Sequence, residues 1–244
     1  MINNQQVALV SGSTKGIGKA IARQLVLDGY IVVQNSRSKV TPDEVIGDYH
    51  LKADVTIENQ SRVLIEKVLE KYGKLNLLVC NVGSGKVLSN EISNSDGWNH
   101  FLSVNLLSTT SLVNAALESL KETKGNVVAI SSICAGDPTI DAPIGYSTAK
   151  AGLEMFIKAM AVRNGKFGVR FNVISPGNVL FEGSVWEQKL KVDNLVIQSY
   201  LDRQVPLGKF IEPQDIACAV SFLAGPSGRN ITGVILPVDG GQSL

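Results

Sequence analysis

The sequence has little of what several common kinds of site require. It contains 3 cysteines and 2 histidines among 244 residues. Cys80, Cys134 and Cys218 are far apart and show no C-x-x-C spacing. So few ligands predict neither a disulfide framework nor a zinc site, and no metal is expected. Scattered thiols favour a reducing compartment, so we predict a cytoplasmic protein.

An excess of charge and long hydrophobic runs are also missing. Lys and Arg number 23 against 22 Asp and Glu, so no field of one sign attracts nucleic acid or an anionic membrane. Residues 1–5 (Met-Ile-Asn-Asn-Gln) contain no basic region followed by a long apolar stretch, which predicts neither a signal peptide nor a membrane span. A small molecule is therefore the expected partner.

Short apolar runs alternate with segments of helical period. Runs with apolar residues on both faces are typical of parallel strands covered by helices. The runs are Val7–Val10, Ile31–Val33, Leu77–Cys80, Val127–Ile130, Phe171–Ile174 and Val234–Leu236. This βαβ alternation predicts one domain over residues 1–244, with an open twisted sheet and function in the loops that follow the strands. The only irregular stretch, 178–205, is predicted to be a substrate lid.

A glycine-rich loop follows the first strand. It reads Ser11-Gly12-Ser13-Thr14-Lys15-Gly16-Ile17-Gly18 and leads into a helical segment. Glycines at these points permit positive φ and let backbone N–H groups approach a pyrophosphate at a helix N-terminus. The alternative is a turn that needs glycine only for close packing of strand and helix. The flanking strand and helix favour dinucleotide binding.

This loop resembles the T-G-x-x-x-G-I-G motif of the short-chain dehydrogenase/reductase family, with Ser11 in place of threonine. It does not match the G-x-x-G-x-x-G of the extended branch, which favours a reductase over a nucleotide-sugar epimerase. Later motifs extend the resemblance from Val7 to Gly241. It implies an α/β, Rossmann-type doubly wound open sheet of about seven parallel strands with helices on both faces, and a homo-oligomer, either a tetramer or a dimer.

The end of the second strand indicates which nicotinamide cofactor is bound. It reads Gln-Asn-Ser-Arg-Ser over residues 34–38, without the carboxylate that binds a ribose 2′-hydroxyl. We expect Arg37 and Lys15 to bind the 2′-phosphate of NADP(H) near Ser36, although each could simply be a solvated surface residue. Other cofactor contacts are implied by the resemblance alone. They are Gly12, Ser13, Thr14, Gly16, Ile17, Gly18, Asp54, Val55, Asn81, Val82, Gly83, Pro176, Gly177 and Val179. Where the family often has a threonine after the Pro-Gly pair, residues 178–181 read Asn-Val-Leu-Phe.

Tyr146 and Lys150 are four residues apart, which places them on one face of a helix. A Y-x-x-x-K pattern is common by chance, but here it follows a strand that ends in Ser131-Ser132. In the family a serine at this point forms the active site with the Tyr-Lys pair, and Ser132 fits better than Ser131. Asn105 resembles the fourth member, which supports a water relay to the lysine. Its alternative role is that of an ordinary helix-kink residue.

The expected chemistry is hydride transfer between the cofactor and a carbonyl carbon. Negative charge then develops on the carbonyl oxygen, which requires a hydrogen-bond donor and an acid. Tyr146 would be that acid and would also contact the cofactor, while Ser132 would hydrogen-bond the oxygen. The resemblance implies that Lys150 holds the nicotinamide ribose. An adjacent ammonium should also lower the pKa of Tyr146 from its usual value near 10.

The substrate is the least determined feature. A 3-oxoacyl thioester of a carrier protein is one candidate, although Lys121, Lys124 and Lys166 are the nearest approach to a basic docking surface. A sugar or secondary-metabolite ketone is the alternative, and specificity is expected in residues 133–145 and 178–205. A catalytically silent NADP-binding scaffold or sensor is the rival from another class, but it predicts damage to the four active-site residues, and none is visible.

Overall fold

The computed structural model describes residues 5–86, 95–137 and 142–244. Its strands are β1 Val7–Val10, β2 Ile31–Ser36, β3 Tyr49–Lys52, β4 Leu77–Cys80, β5 Asn126–Ile130, β6 Arg170–Pro176 and β7 Ile235–Val238. Its helices are α1 Gly16–Leu27, α2 Glu58–Tyr72, α3 Ser95–Leu102, α4 Ser108–Thr123, α5 Ile144–Asn164, α6 Val185–Val192, α7 Asn194–Gln204 and α8 Pro213–Ala224. A π-helical turn, Ser103–Leu107, joins α3 to α4.

The strands form one parallel sheet in the order β3-β2-β1-β4-β5-β6-β7. The chain begins near the middle, builds outward to β3, and then crosses back to add β4 on the other side of β1. At such a reversal of strand order the two flanking loops diverge and leave a crevice at the carboxyl ends of the strands. The predicted doubly wound open sheet is confirmed.

Helices cover both faces of the sheet, which explains why β1 and β4 are apolar at every position. In β1, Val7 and Leu9 pack in the core cluster that contains residues of α2, α4 and α5. Ala8 and Val10 point the other way, into the cluster formed with α1 and α8. All four side chains are fully buried. In the part of the chain that the structure describes, no helix is both long and apolar enough for a bilayer crossing.

The prediction that residues 178–205 are irregular is wrong, because this stretch contains α6 and α7. The Ser184 hydroxyl accepts a hydrogen bond from the Glu187 N–H at 3.1 Å, and Asp193 Oδ1 accepts one from the Val196 N–H at 3.0 Å. These two N-caps satisfy backbone donors that a short helix otherwise leaves unpaired. Only Ile197 and Leu201 of α6 and α7 are buried, so the apolar period in the sequence is weak.

Candidate active site

The glycine-rich loop adopts the strained geometry that its sequence suggests. Gly12 and Gly16 have φ of +62° and +52°, in the left-handed region that favours glycine. A Cβ on Gly18 would lie 2.4 Å from the Gly12 carbonyl oxygen, because α1 passes directly against the loop. Lys15 precedes the first turn of α1, and its side chain does not cap that turn. The loop therefore presents backbone donors at a helix N-terminus, where an anion is favoured.

Substitution of Gly18 by alanine is expected to destabilise the fold. The new methyl overlaps a backbone carbonyl that cannot move without opening the loop, so we expect a loss of about 1–3 kcal/mol in the free energy of unfolding. Gly165→Ala is the matched control, since a Cβ there has no heavy atom within 4 Å. Urea unfolding of the three proteins measures the difference. Equal stability of Gly18→Ala and Gly165→Ala would show that the loop is not tightly packed on α1.

The two predicted phosphate ligands lie on segments that are hydrogen-bonded to each other. The Ser13 N–H donates to the Asn35 carbonyl at 3.0 Å, and the Asn35 N–H donates to Ser13 Oγ at 3.0 Å. Lys15 and Arg37 each lie two residues beyond this link, and both are exposed. The structure thus brings the loop that carries one cation to the strand end that carries the other.

The Ser36 hydroxyl has a neighbour that sequence analysis missed. Ser36 Oγ donates to the Ser38 carbonyl at 2.7 Å and lies 2.9 Å from His50 Nε2. The pairing of Gln34 with His50 across β2 and β3 produces this contact, and no sequence signal indicated it. Burial lowers the pKa of His50.

The predicted cofactor contacts Asp54 and Val55 differ in how far their side chains are exposed. Asp54 Oδ1 accepts from the Thr56 N–H at 3.0 Å and from its hydroxyl at 2.7 Å, so the carboxylate closes a local turn. Val55 is buried in the core cluster. Of the pair, the partly buried Asp54 is the residue with a side chain near the surface.

Asn81, the residue after β4, joins this strand to the glycine-rich loop by hydrogen bonds. Its Nδ2 donates to the carbonyls of Ser11 and Gly12 at 3.0 and 3.1 Å, and its N–H donates to Ser11 Oγ at 3.0 Å. Val82 packs beside Gly12. The serine that replaces the family's threonine therefore still joins the two strand ends through its hydroxyl.

A cavity of about 140 Å³ at the carboxyl ends of the strands brings together residues predicted from separate motifs. It is lined by Ile17, Asn81, Gly83, Ile130, Ser131, Ser132, Tyr146, Lys150, Pro176 and Gly177. Three of the four predicted catalytic residues line it, with five residues that were predicted as cofactor contacts only. The opening of the parallel sheet thus brings together residues of β5, β6, α1, α5 and the loop after β4.

Tyr146 lies at the start of α5, with its phenol close enough to the Ser132 side chain for Ser132 to affect its pKa. Burial raises the pKa of Tyr146 to about 12, and Ser132 opposes this rise only in part. The expectation that Lys150 lowers this pKa below its usual value is wrong for this structure. The Lys150 nitrogen is 5.9 Å from the centre of the phenol ring, and removal of the phenol from water has the larger effect.

Lys150 is buried, and its nitrogen donates to the Ile130 carbonyl at 2.7 Å. Burial lowers the pKa of Lys150 to about 8, against the charge of Glu154 and the Cys80 thiol, which raise it. The same burial raises the pKa of the Cys80 thiol to about 12. Lys150 is therefore an ammonium that gives up its proton near pH 8.

This shift predicts a pH-dependent stability that Lys150→Met should remove. An unfolded lysine has a pKa near 10.4, so above about pH 8 the folded chain binds fewer protons than the unfolded chain. Stability then rises with pH through this window. We expect the unfolding free energy of the wild type, minus that of Lys150→Met, to increase from pH 7 to pH 9.5 in urea titrations. A difference that is constant with pH would contradict the buried ammonium.

Asn105 occupies the π-helical turn between α3 and α4 and is fully buried. Its Oδ1 accepts from the Ser84 N–H at 2.8 Å, and its Nδ2 donates to the carbonyls of Ser84 and Phe101 at 3.0 and 3.1 Å. A Cβ on Gly83 would lie 3.1 Å from Asn105 Oδ1 and 2.8 Å from the Lys150 nitrogen. The residue therefore sits in a distorted helix and also beside the lysine, while its part in a water relay stays a prediction.

The turn after β6 contains a second feature that sequence analysis missed. The Gly177 N–H donates to the Val238 carbonyl at 3.0 Å, and Val179 is buried in a bridge to Ile211. Two residues later the Phe181 ring lies over the glycine-rich loop, with its Cε2 2.6 Å from the position of a Cβ on Gly16. An aromatic ring thus covers Gly16 in the segment where the family often has a threonine.

Comparison with known proteins agrees with this geometry. The family model described as Enoyl-(Acyl carrier protein) reductase matches residues 12–243. Glucose 1-dehydrogenase 2 of Bacillus subtilis is 32% identical over 98% of this chain and 95% of its own. L-fucose dehydrogenase of Mus musculus is 31% identical over 98% of this chain and 89% of its own.

Solved structures give the same result. Pseudomonas aeruginosa RhlG, in an NADP active-site complex, superposes with a TM-score of 0.87 at 26% identity over 98% of this chain and 96% of its own. Thermoplasma acidophilum aldohexose dehydrogenase, in ligand-free form, superposes with a TM-score of 0.88 at 27% identity over 98% of this chain and 94% of its own. The chain therefore belongs to the short-chain dehydrogenase/reductase family and is an oxidoreductase of CH–OH and C=O groups.

Proposed function

We propose that the protein interconverts a carbonyl and a secondary alcohol with NADP(H), and that Tyr146 is the general acid and base. The observation that carries this proposal is that Ser132 and Tyr146 line one cavity that also contains Lys150 and reaches Ile17 and Gly177. A carbonyl oxygen between the two hydroxyls would have both a donor and an acid within reach.

The residues at the mouth of the sheet fit a dinucleotide. Positive φ at Gly12 and Gly16 shapes the loop at the N-terminus of α1, and this helix end favours a pyrophosphate. Lys15 and Arg37, without a competing carboxylate at Ser36, suit a 2′-phosphate. RhlG, a structural relative, has been solved with NADP, which supports the choice. When bound, the nicotinamide supplies or accepts the hydride.

The side chains of this protein would transfer the proton and stabilise the negative charge that develops on the substrate oxygen. With a pKa of about 12, Tyr146 stays protonated at neutral pH and is ready to act as an acid in the direction of reduction. Ser132 would donate to the substrate oxygen as charge develops there. Lys150, with its lower pKa of about 8, would return a proton to the phenolate, and Asn105 lies beside it.

For the substrate we favour a sugar or a similar hydroxylated compound. Relatives named as glucose, L-fucose and aldohexose dehydrogenases support this class. A 3-oxoacyl thioester is the second candidate, because the matching family model is described by an acyl-carrier-protein activity. However, Lys121, Lys124 and Lys166 lie at the C-terminal ends of α4 and α5, at the edge of the sheet opposite the cavity. A carrier protein docked there would not reach Tyr146.

A panel of substrates tests the proposal. Purified protein is assayed for NADP⁺ reduction with aldohexoses, including D-glucose and L-fucose, and for NADPH oxidation with an acetoacetyl thioester. Turnover with a sugar and none with the thioester is the expected result. Turnover with the thioester alone would favour the second candidate. Tight NADPH binding without turnover across a wide carbonyl panel would indicate a scaffold or sensor.

We also propose a homo-oligomer. Strand β7 lies at the edge of the sheet with its residues only partly buried, so its backbone is available for further packing. Apolar side chains are exposed along α5, with Met155 65% and Val162 85% exposed. Light scattering on a sizing column should give a mass of two or four chains, and a monomer would contradict this.

Helices α6 and α7 would form the lid predicted over residues 178–205. Trp186 stacks on Tyr200 with ring centres 5.3 Å apart, which joins the two helices. The Tyr200 hydroxyl accepts from Asn178 Nδ2 at 3.1 Å and from Gln242 Nε2 at 2.9 Å. Because Asn178 adjoins Gly177 at the cavity, these bonds connect the helices to the reaction end of the sheet. The rings of Trp186 and Tyr200 therefore pack against each other between α6 and α7.

A further inference from the structure

A buried carboxylate lies on the catalytic helix behind the reaction cavity. Glu154 follows Lys150 by four residues and Tyr146 by eight in α5, a spacing that places the three on one side of the helix. Its side chain belongs to the buried set, and within the described ranges no ion pair includes it. Desolvation of this carboxylate is costly, and the attraction of Lys158 and Lys150 offsets only part of that cost.

The groups nearest the Glu154 carboxylate are hydroxyls from two strand ends. Ser175 Oγ, at the end of β6, donates to Glu154 Oε1 at 3.5 Å. The Ser131 hydroxyl, just after β5, faces the same carboxylate closely enough to lower its pKa. Ser131 Oγ is fully buried and makes no hydrogen bond of normal geometry with the described residues, so this hydroxyl is free to turn either way.

Glu154 and Ser131 separate two cavities. Ser131 lines the reaction cavity together with Tyr146 and Lys150. Glu154 lines a second, wider cavity of about 250 Å³ that opens to solvent between the turn after β5 and strand β7. The other polar residues of this second cavity are Asp137, Ser175 and Ser243. A carboxylate and a hydroxyl thus stand between bulk solvent and the buried ammonium.

We propose that Glu154 is a proton-relay residue that carries protons between solvent in the second cavity and Lys150 during turnover. This inference rests on the proposed oxidoreductase function. In reduction, the Tyr146 O–H bond breaks as the proton passes to the substrate oxygen, and a Lys150 N–H proton re-forms the phenol. Ser131 then passes its hydroxyl proton to the lysine nitrogen and takes the proton of the Glu154 carboxylic acid. The carboxylate takes a new proton from hydronium or a buffer acid, so one solvent proton enters for each hydride transferred.

Burial shifts the pKa of each titratable group on this relay. Burial raises the pKa of Glu154, while Ser131, Lys158, Ser175 and Lys150 oppose the rise. The next acceptor, Lys150, has a pKa of about 8, and the last, Tyr146, has a pKa of about 12. The transfer from Lys150 to the Tyr146 phenolate in reduction therefore goes from the stronger acid to the stronger base. Asp137 is the remaining titratable group on the second cavity, and it is exposed.

The side-chain amide of Asn105 is already engaged. Both polar atoms of its amide are hydrogen-bonded to the backbone of Ser84 and Phe101. A route through Glu154 needs no rearrangement of α3, α4 or the π-helical turn.

The Glu154→Gln variant distinguishes a role of Glu154 in proton transfer from a purely structural role. Glutamine keeps the size of the side chain and can accept the serine hydrogen bonds, but it cannot carry a proton. In a single turnover the phenol of Tyr146 already holds its proton, so we expect the rate of NADPH oxidation in that turnover to match the wild type. Steady-state kcat at low buffer concentration should fall at least about tenfold, which is less than the ~10²-fold or more that a general acid or base in direct contact with the substrate contributes. Imidazole and acetic acid are small enough for the second cavity of about 250 Å³, and either should restore most of the lost kcat.

Two further measurements complete the test. Glu122→Gln, which removes an exposed carboxylate from α4, should leave the single-turnover rate, kcat and buffer dependence unchanged. Infrared difference spectra of the protein alone, recorded across a pH titration, should show a carboxylic-acid band that titrates above the usual range and that Glu154→Gln removes. This readout does not depend on catalysis.

The relay would be overturned by a Glu154→Gln protein whose kcat equals that of the wild type at every buffer concentration. It would equally be overturned if the single-turnover rate fell as far as kcat and buffer acids restored neither, since that is the signature of a structural role. A wild-type protein without turnover on any substrate contradicts the proposed function and the relay together. An active wild type with an unaffected variant contradicts the relay alone.

Discussion

Tyr146→Phe is expected to lower kcat by about 10³-fold, within the range that a positioned general acid contributes. Only the hydroxyl is lost, and the ring retains its packing at the start of α5. The loop and strand ends that would hold the cofactor are unchanged, so the Kd for NADPH should stay within about twofold of the wild type, a difference well below 1 kcal/mol. Steady-state kinetics and a fluorescence titration of NADPH measure the two quantities.

Tyr49→Phe is the matched control, because this tyrosine is on β3 and is 41% exposed. It should leave kcat unchanged. Retention of full turnover in Tyr146→Phe would refute the assignment of the acid. Loss of NADPH binding together with turnover would instead indicate that the phenol helps to hold the cofactor more than it transfers a proton.

Ser36→Asp is expected to reverse the cofactor preference. A carboxylate at the end of β2 would repel a 2′-phosphate and accept a hydrogen bond from a ribose 2′-hydroxyl. Loss of one charge-assisted interaction and gain of a repulsion amount to about 3 kcal/mol, so kcat/KM for NADPH should fall on the order of 100-fold. The value for NADH should rise. The ratio of the two kcat/KM values, measured with one substrate, is the quantity to compare.

Ser36→Ala is the control for Ser36→Asp, because it removes the hydroxyl and its contact with His50 without adding a charge. We expect this variant to keep its preference for NADPH. Arg37→Met should weaken NADPH binding and leave NADH unaffected. A wild-type enzyme that uses NADH and NADPH with comparable kcat/KM would contradict the phosphate-binding role of Arg37 and Lys15.

The fold could be read from the sequence because its strands are buried on both faces. Runs such as Val7–Val10 are apolar at each position only where helices cover a parallel sheet on each side. The two helices α6 and α7 were missed for the opposite reason. They bury only Ile197 and Leu201 and expose Val192 and Leu195, so no apolar period marks them. Their capping residues, Ser184 and Asp193, were the available signal.

The candidate site, like the fold, could be predicted only in part from the sequence. Spacing within one helix predicted that Tyr146 and Lys150 share a face, and motif resemblance predicted Ser132 beside them. The roles of these residues stay predictions. Phe181 over Gly16, and His50 beside Ser36, are contacts between segments far apart in the chain, which no local pattern encodes.

The amino-acid sequence by itself determined the open parallel sheet, the phosphate loop and the set of polar groups at the strand ends, because these depend on apolar runs and on residues close together in the chain. Only the tertiary structure decided the acid–base properties of those groups. The pKa of Tyr146 rises instead of falling, and Lys150 titrates near 8, because desolvation depends on every segment packed around a group. The same packing buries Glu154 between two cavities.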